Sequence, residues 1–261
     1  MFLYRCRSNK TLVEFDNLND PQAIKEALAN ELIVVIRGQD LTPDEEVEFC
    51  QSIGKCQPVK SERSKHIALN DHILRVTGQK DEDGEEGLFG HVDALDWHAN
   101  QASNYNRSPL IWLYGKEGTK GSRTSWINMK QAYEELNNKS LVKDLQITLG
   151  YEPGKYSDSK FFKEHHNTDA PFDLVHTNRA GKTGLYFPFL QIFGIVGKDE
   201  HEFNTIMHML KGHVLKNKYR YDHYWEDGDI VISEQWLTIH KRWRFEDMAN
   251  RIIHRIAFDY E

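Results

Sequence analysis

No stretch of this 261-residue sequence approaches the roughly 20 consecutive apolar residues that a bilayer-spanning helix requires, so no membrane span and no membrane partner are expected. The opening residues, MFLYRCRSNKTLVEF, contain no apolar run closed by small residues, and no secretory leader is expected. Cysteine is scarce: Cys6, Cys50 and Cys56 form no CxxC pair, and an odd number argues against a disulfide framework. A reducing cytoplasm is the expected setting. Neither a GxGxxG nor a Walker phosphate loop is present, which removes the common nucleotide-binding motifs. Basic excess is also missing. With 33 Lys and Arg against 40 Asp and Glu, the net charge of −7 weighs against nucleic acid as a partner. The acidic run DEDGEE (81–86) and the basic run HKRWR (240–244) are expected to be solvated faces.

What is present is the composition of a globular protein: 39% hydrophobic, 28% charged and 11% aromatic. The length suffices for a sizeable core. PQAIKEALAN (21–30), after Asp20, and LTPDEEVEFCQSIGK (41–55), opened by Thr42 and Pro43, predict helices. Between them ELIVVIRG (31–38) predicts a buried strand. HILRVTG (72–78), SPLIWLYGKEG (108–118) and SRTSWIN (122–128) are further strand candidates, and MKQAYEELNNKSLVKDL (129–145) reads as a helix. The polar segment around 151–180 is expected to be a long loop or lid. A helix near 200–215 and strands in DIVIS (229–233) and RIIHRIAFDY (251–260) complete the chain. Without repeats or linkers, this pattern predicts one domain over 1–261, mainly β with helical decoration, arranged as a sandwich or barrel.

Three segments hold the candidate chemistry: WHAN (97–100), DGDIVISEQWLTIHKR (227–242) and RIIHR (251–255). If the last is a strand, Arg251, Ile253 and Arg255 share one face, and Ile252, His254 and Ile256 share the other. Two arginines on an inner face call for an anion, whose carboxylate geometry the guanidinium fork matches. A histidine in a strand-rich core is more often structural than ligating, so spacing alone leaves these roles open.

From about residue 31 onward the chain resembles the taurine dioxygenase/clavaminate synthase-like family of iron(II), 2-oxoglutarate-dependent oxygenases. IVVIRGQDLTPDEEVEFCQSIGK resembles that family's early strand–helix segment, and WHANQ with the later LYGKEGTKGSRTSWINMKQAYEEL its first metal-ligand region and glycine-containing turn. RAGKTGLYFPFLQIFGIVG, with His176 ahead of it, resembles the central region, and WEDGDIVISEQWLTIHKR with RIIHR the closing segment. The resemblance implies a double-stranded β-helix (jelly-roll) core. It implies His98 and His240 as Fe(II) ligands, with O2 and 2-oxoglutarate filling the open positions. It further implies that Arg251 and Thr124 bind the cosubstrate's distal carboxylate, with Arg255 near the cosubstrate and the substrate's acidic group. Hydroxylation of an unactivated C–H bond would follow, coupled to decarboxylation of 2-oxoglutarate to succinate and CO2. A small polar, amino-acid-like substrate is suggested by Arg255 and by Gln101, Ser103, Tyr105 and Asn106, with His66 as a further substrate contact. A homo-oligomer is left open.

One residue departs from the pattern. Where such a site offers a carboxylate, this chain has Asn100. A carboxamide oxygen is a neutral, weaker donor. Asn100 ligates through that oxygen, or swings away and opens a position as in halogenases, or marks a catalytically silent jelly-roll that binds an anionic small molecule. Asp93 and Asp96 are the nearby carboxylates that offer a replacement.

Overall fold

A computed structural model describes residues 12–59, 68–80, 84, 89–102, 108–150 and 171–260. The chain starts with β1 (Leu12–Phe15), α1 (Pro21–Glu31), β2 (Ile33–Ile36) and α2 (Pro43–Ile53). Asp20 caps α1 by accepting from Ala23 N, while Thr42 and Glu45 form a reciprocal capping box on α2. Next come β3 (Leu74–Thr77), β4 (Leu95–His98), β5 (Leu110–Glu117), β6 (Arg123–Asn128) and α3 (Met129–Glu134). Short strands follow, β7 (Gln146–Leu149), β8 (Phe172–Asp173), β9 (Val175–Thr177), β10 (Thr183–Leu185) and β11 (Ile192–Ile195). The chain closes with α4 (Glu200–Val214), β12 (Arg220–Tyr224), β13 (Ile230–Glu234), β14 (Thr238–Arg242) and β15 (Ile252–Phe258).

The expected helix over 129–145 is shorter. It stops at Glu134, and only a 3-10 turn at Lys139–Leu141 follows. Asn137 and Asn138 lie between the two, and asparagine side chains compete with the helix for backbone hydrogen bonds. Strand β1 was not expected either, because LVEF is too short to show a period. It forms by parallel pairing with β2. Of the expected lid, 151–170 lies outside the described residues, and 171–180 contains β8 and β9.

A six-stranded sheet runs β1-β2-β13-β5-β15-β3, and a four-stranded sheet runs β12-β6-β14-β4. Strand alternation sorts the side chains. On the larger sheet Trp112, Tyr114, Ile230, Ile232, Ile256 and Phe258 face α1 and α2, while Ile111, Leu113, Val231, Ile253 and Ala257 face inward. On the smaller sheet Trp97, Ile127 and Ile239 face outward toward α3 and α4, while Trp126 joins the inner cluster. The inner faces therefore share one core. Burying its aliphatic and aromatic side chains contributes on the order of 1.5–3 kcal/mol each. Buried Glu46 ties α2 to the larger sheet, 2.6 Å from His254 Nδ1 and accepting from Trp112 Nε1 at 3.2 Å. His254 thus points away from the inner face, as the alternation predicted. Among the described residues, no helix is long and apolar enough to cross a membrane.

Candidate active site

Between the inner faces lies a pocket lined by Phe89, Leu95, His98, Asn100, Thr124, His240, Arg242, Arg251 and Arg255 with Val76, Leu113 and Ile253. Sheet register brings its parts together. His240 on β14 pairs with His98 on β4 and, on its other side, with Trp126 on β6. The two imidazole centroids are 4.1 Å apart, and Trp126 lies against His240 at 6.0 Å, tilted by 25°. His98 Nδ1–H donates to the Asp96 carbonyl at 2.7 Å, which leaves Nε2 with the lone pair. Burial lowers the His98 pKa to about 4, and burial with the charges of His98 and Arg255 pushes His240 well below its ordinary value. Both rings are neutral at pH 7, as metal ligands must be.

The opposite wall comes from the larger sheet. Arg251 precedes β15, and Ile253 and Arg255 follow on the same face. Arg251 is buried; its Nε donates to Ser122 Oγ at 3.2 Å, and its Nη1 has no partner among the described residues. Burial, with the charge of Arg242 adding, lowers its pKa to about 9, so it stays charged at neutral pH. Thr124 Oγ accepts from Trp225 Nε1 at 3.0 Å, so its hydroxyl proton remains available to donate. The turn before β6 fixes Arg251 from below. Gly118 adopts φ +61°, and a Cβ there would stand 2.8 Å from Asn250 C and 3.3 Å from Arg251 N.

Asn100 is buried, with its backbone N–H held by Gln235 Oε1 at 2.7 Å. Its Oδ1 accepts from Arg255 Nη1 at 3.3 Å, while Nδ2 has no partner among the described residues. A guanidinium carries only donors, which sets the amide's orientation. The alternative carboxylates turn outward: Asp96 pairs with Lys241 at 2.9 Å and Asp93 with Arg244 at 2.6 Å. Among the described residues no group of three His, Cys, Asp or Glu side chains could hold a metal.

His98, His240, Asn100, Thr124, Arg251 and Arg255 all line this one pocket. Gln101, half-buried at φ 54°, lies outside its lining, and His66, Ser103, Tyr105 and Asn106 lie outside the described residues. The basic run HKRWR is not wholly a solvated face, because Arg242 is buried in the pocket. Strand alternation from His240 was the available signal. Ser122, Trp225 and Gln235 were also missed, since no local pattern reports a partner about 100 residues away.

A family model described as "Taurine catabolism dioxygenase TauD, TfdA family" matches residues 7–257. The chain belongs to the TauD/TfdA family. It is 22% identical over 251 residues to the alpha-ketoglutarate-dependent 2,4-dichlorophenoxyacetate dioxygenase of a Burkholderia species, covering 89% of this chain and 83% of that protein. It is 22% identical to the pentalenolactone F synthase of Streptomyces arenae, covering 90% and 85%. The fold matches a taurine dioxygenase from Burkholderia xenovorans with a TM-score of 0.78 at 18% identity, covering 100% of this chain and 90% of that one. It also matches AAD-2 in complex with Mn(II) and N-oxalylglycine, with a TM-score of 0.82 at 17% identity, covering 100% and 98%. As a TauD/TfdA member the chain is an iron(II)- and 2-oxoglutarate-dependent dioxygenase, with Fe(II), 2-oxoglutarate and O2 as its cofactor set. The two neutral imidazoles suit the metal, and the unpartnered Arg251 Nη1 suits an anionic cosubstrate. Where a carboxylate is expected the pocket presents the Asn100 carboxamide, whose oxygen faces Arg255 and is the weaker kind of donor.

Proposed function

We propose that this chain is a single jelly-roll domain that hydroxylates an unactivated C–H bond of a small polar, amino-acid-like molecule in the cytoplasm. His98 and His240 hold the iron, with the Asn100 oxygen as a weak third donor, and Arg251 with Thr124 anchors the distal carboxylate of 2-oxoglutarate. The observation that carries this reading is a buried Arg251 Nη1, without a partner among the described residues, in the same pocket as two neutral imidazoles. Bound iron supplies the redox chemistry that couples cosubstrate decarboxylation to C–H oxidation. The chain's own residues bind and orient. Arg251 and the Thr124 hydroxyl fix one end of the cosubstrate, and Arg255 holds the Asn100 amide and faces the substrate's acidic group. Val76, Phe89, Leu95, Leu113 and Ile253 form an apolar wall that excludes water.

The rival reading, an anion-binding protein without turnover, is favoured by the missing carboxylate. Anaerobic Fe(II) titration with and without 2-oxoglutarate separates the two. A saturable visible charge-transfer band is expected, and Asn100→Asp should tighten Fe(II) binding at least about tenfold by restoring a charged donor. A band seen only in Asn100→Asp means that the natural ligand set is impaired. Its absence from both proteins overturns the oxygenase assignment of the site.

A further inference from the structure

The pocket holds a cation that neither the histidine pair nor the Arg251 anchor accounts for. Arg242 is only 5% exposed and lines the same cavity. It follows His240 by two residues on β14 and stands across the ladder from Thr124. Among the described residues, neutral groups alone hold its guanidinium. Nη1 lies 2.9 Å from Met248 Sδ, and Nη2 donates to the Asp93 carbonyl at 2.8 Å and lies 3.1 Å from His91 Nδ1. The Asp93 carboxylate is engaged elsewhere, 2.6 Å from Arg244. Arg242 Nε is buried and has no acceptor among the described residues. Tying Met248 and the Asp93 loop to β14 requires donors, yet it does not require a charge. Arg251 brings a second buried guanidinium, and among the described residues its Nη1 has no partner and no acidic side chain lines the pocket. Two like charges sharing a low-dielectric space without a counter-ion are costly, and an anion between them removes that cost.

We propose that Arg242 is a second binding residue for the distal carboxylate of the cosubstrate, sharing it with Arg251. The paired guanidiniums make the pocket selective for 2-oxo acids that carry a second acidic group. This inference rests on the assignment of Arg251 and Thr124 made above, and it adds a residue and a selectivity to it.

The experiment compares two five-carbon acids, 2-oxoglutarate and 2-oxopentanoate, which differ in the distal carboxylate. Binding to anaerobic Fe(II) protein is read from the charge-transfer band. Arg242→Gln is expected to weaken 2-oxoglutarate at least about tenfold and to leave 2-oxopentanoate within about twofold. Equal losses for both acids, or no loss, would falsify the proposal and leave Arg242 as packing. If Arg242→Gln does not fold, Arg242→Met, which keeps apolar contact with Met248, gives the same comparison. If wild type shows no band with either acid, the metal-site assignment falls. Calorimetric titration of metal-free protein with pentanedioate then decides Arg242: binding lost in the variant supports it, and equal or undetectable binding overturns it.

Discussion

At the scale of single residues, the site is defined by charge. Three arginines and two neutral imidazoles share one pocket, with no acidic side chain lining it among the described residues. The binding role proposed for Arg251 carries no stability with it, because a buried cation with a donor unpartnered among the described residues costs free energy without a ligand. Arg251→Gln is therefore expected to weaken 2-oxoglutarate at least about tenfold without lowering the melting temperature. Anaerobic titration and a thermal melt check the two halves. A variant that melts earlier and binds normally would make Arg251 a structural residue. Asn100 shows how far sequence reading reaches at this scale. The substitution was legible in WHAN, but its engagement with Arg255, 155 residues away, was not.

At the scale of elements, two connections hold the pocket's walls in place. The first is the turn from β5 to β6, where Gly118 packs against the backbone that leads into Arg251. Gly118→Ala combines a strained φ with a steric conflict, so it should destabilise by roughly 1–3 kcal/mol and displace Arg251. The expected result is an earlier melt together with weaker 2-oxoglutarate binding. Intact binding in a destabilised variant would separate this turn from the site. The second connection joins the two sheets. His223 on β12 has its Nε2 3.2 Å from Asp229 Oδ2, and Asp229 also pairs with Arg37 at 2.5 Å, next to β2. Burial lowers the His223 pKa, opposed by Asp229 and reinforced by the Arg37 charge. The unfolded chain then takes up a proton near the ordinary histidine value of 6.5 that the folded chain refuses. Stability is lost as pH falls below that value. Melting temperatures from pH 7 to pH 5 should decline in wild type and decline less in His223→Gln. Parallel declines would remove His223 from the account. Gly118 with Asn250 and Arg37 with Asp229 are distant in sequence, which explains why β2, β5, β6 and β13 were legible as strands and these contacts were not.

At the scale of the molecule, the pocket lies between two sheets and is made by neither alone. A ligand that binds only the folded form should stabilise the whole chain, by about 2.7 kcal/mol at a concentration 100 times its Kd. Anaerobic calorimetry with Fe(II) and 2-oxoglutarate should show a raised melting temperature that a chelator reverses and that Arg251→Gln largely abolishes. No shift under conditions where the charge-transfer band forms would mean that binding draws on little of the tertiary structure. The net charge of −7 gives the chain no overall attraction for anions, so the anion binding proposed above rests on the guanidiniums that line the pocket.

The sequence by itself determined α1, α2, α4 and the strands β2, β3, β5, β6, β13 and β15, the two faces of β15, and the resemblance that carries iron and 2-oxoglutarate, while His240, expected on a loop, lies in β14. Those properties are local: a period of two, a capped helix start, a histidine after a tryptophan. The β-branched IVVI run became β2, and RIIHR placed Arg251 and Arg255 together on the pocket side. Only the tertiary structure decided that the Asn100 oxygen faces Arg255, that Asp93 and Asp96 turn outward, and that Arg242 leaves a basic run to enter the pocket. Sheet register and burial set those outcomes, because a buried polar group takes its partner from whatever strand the fold brings beside it.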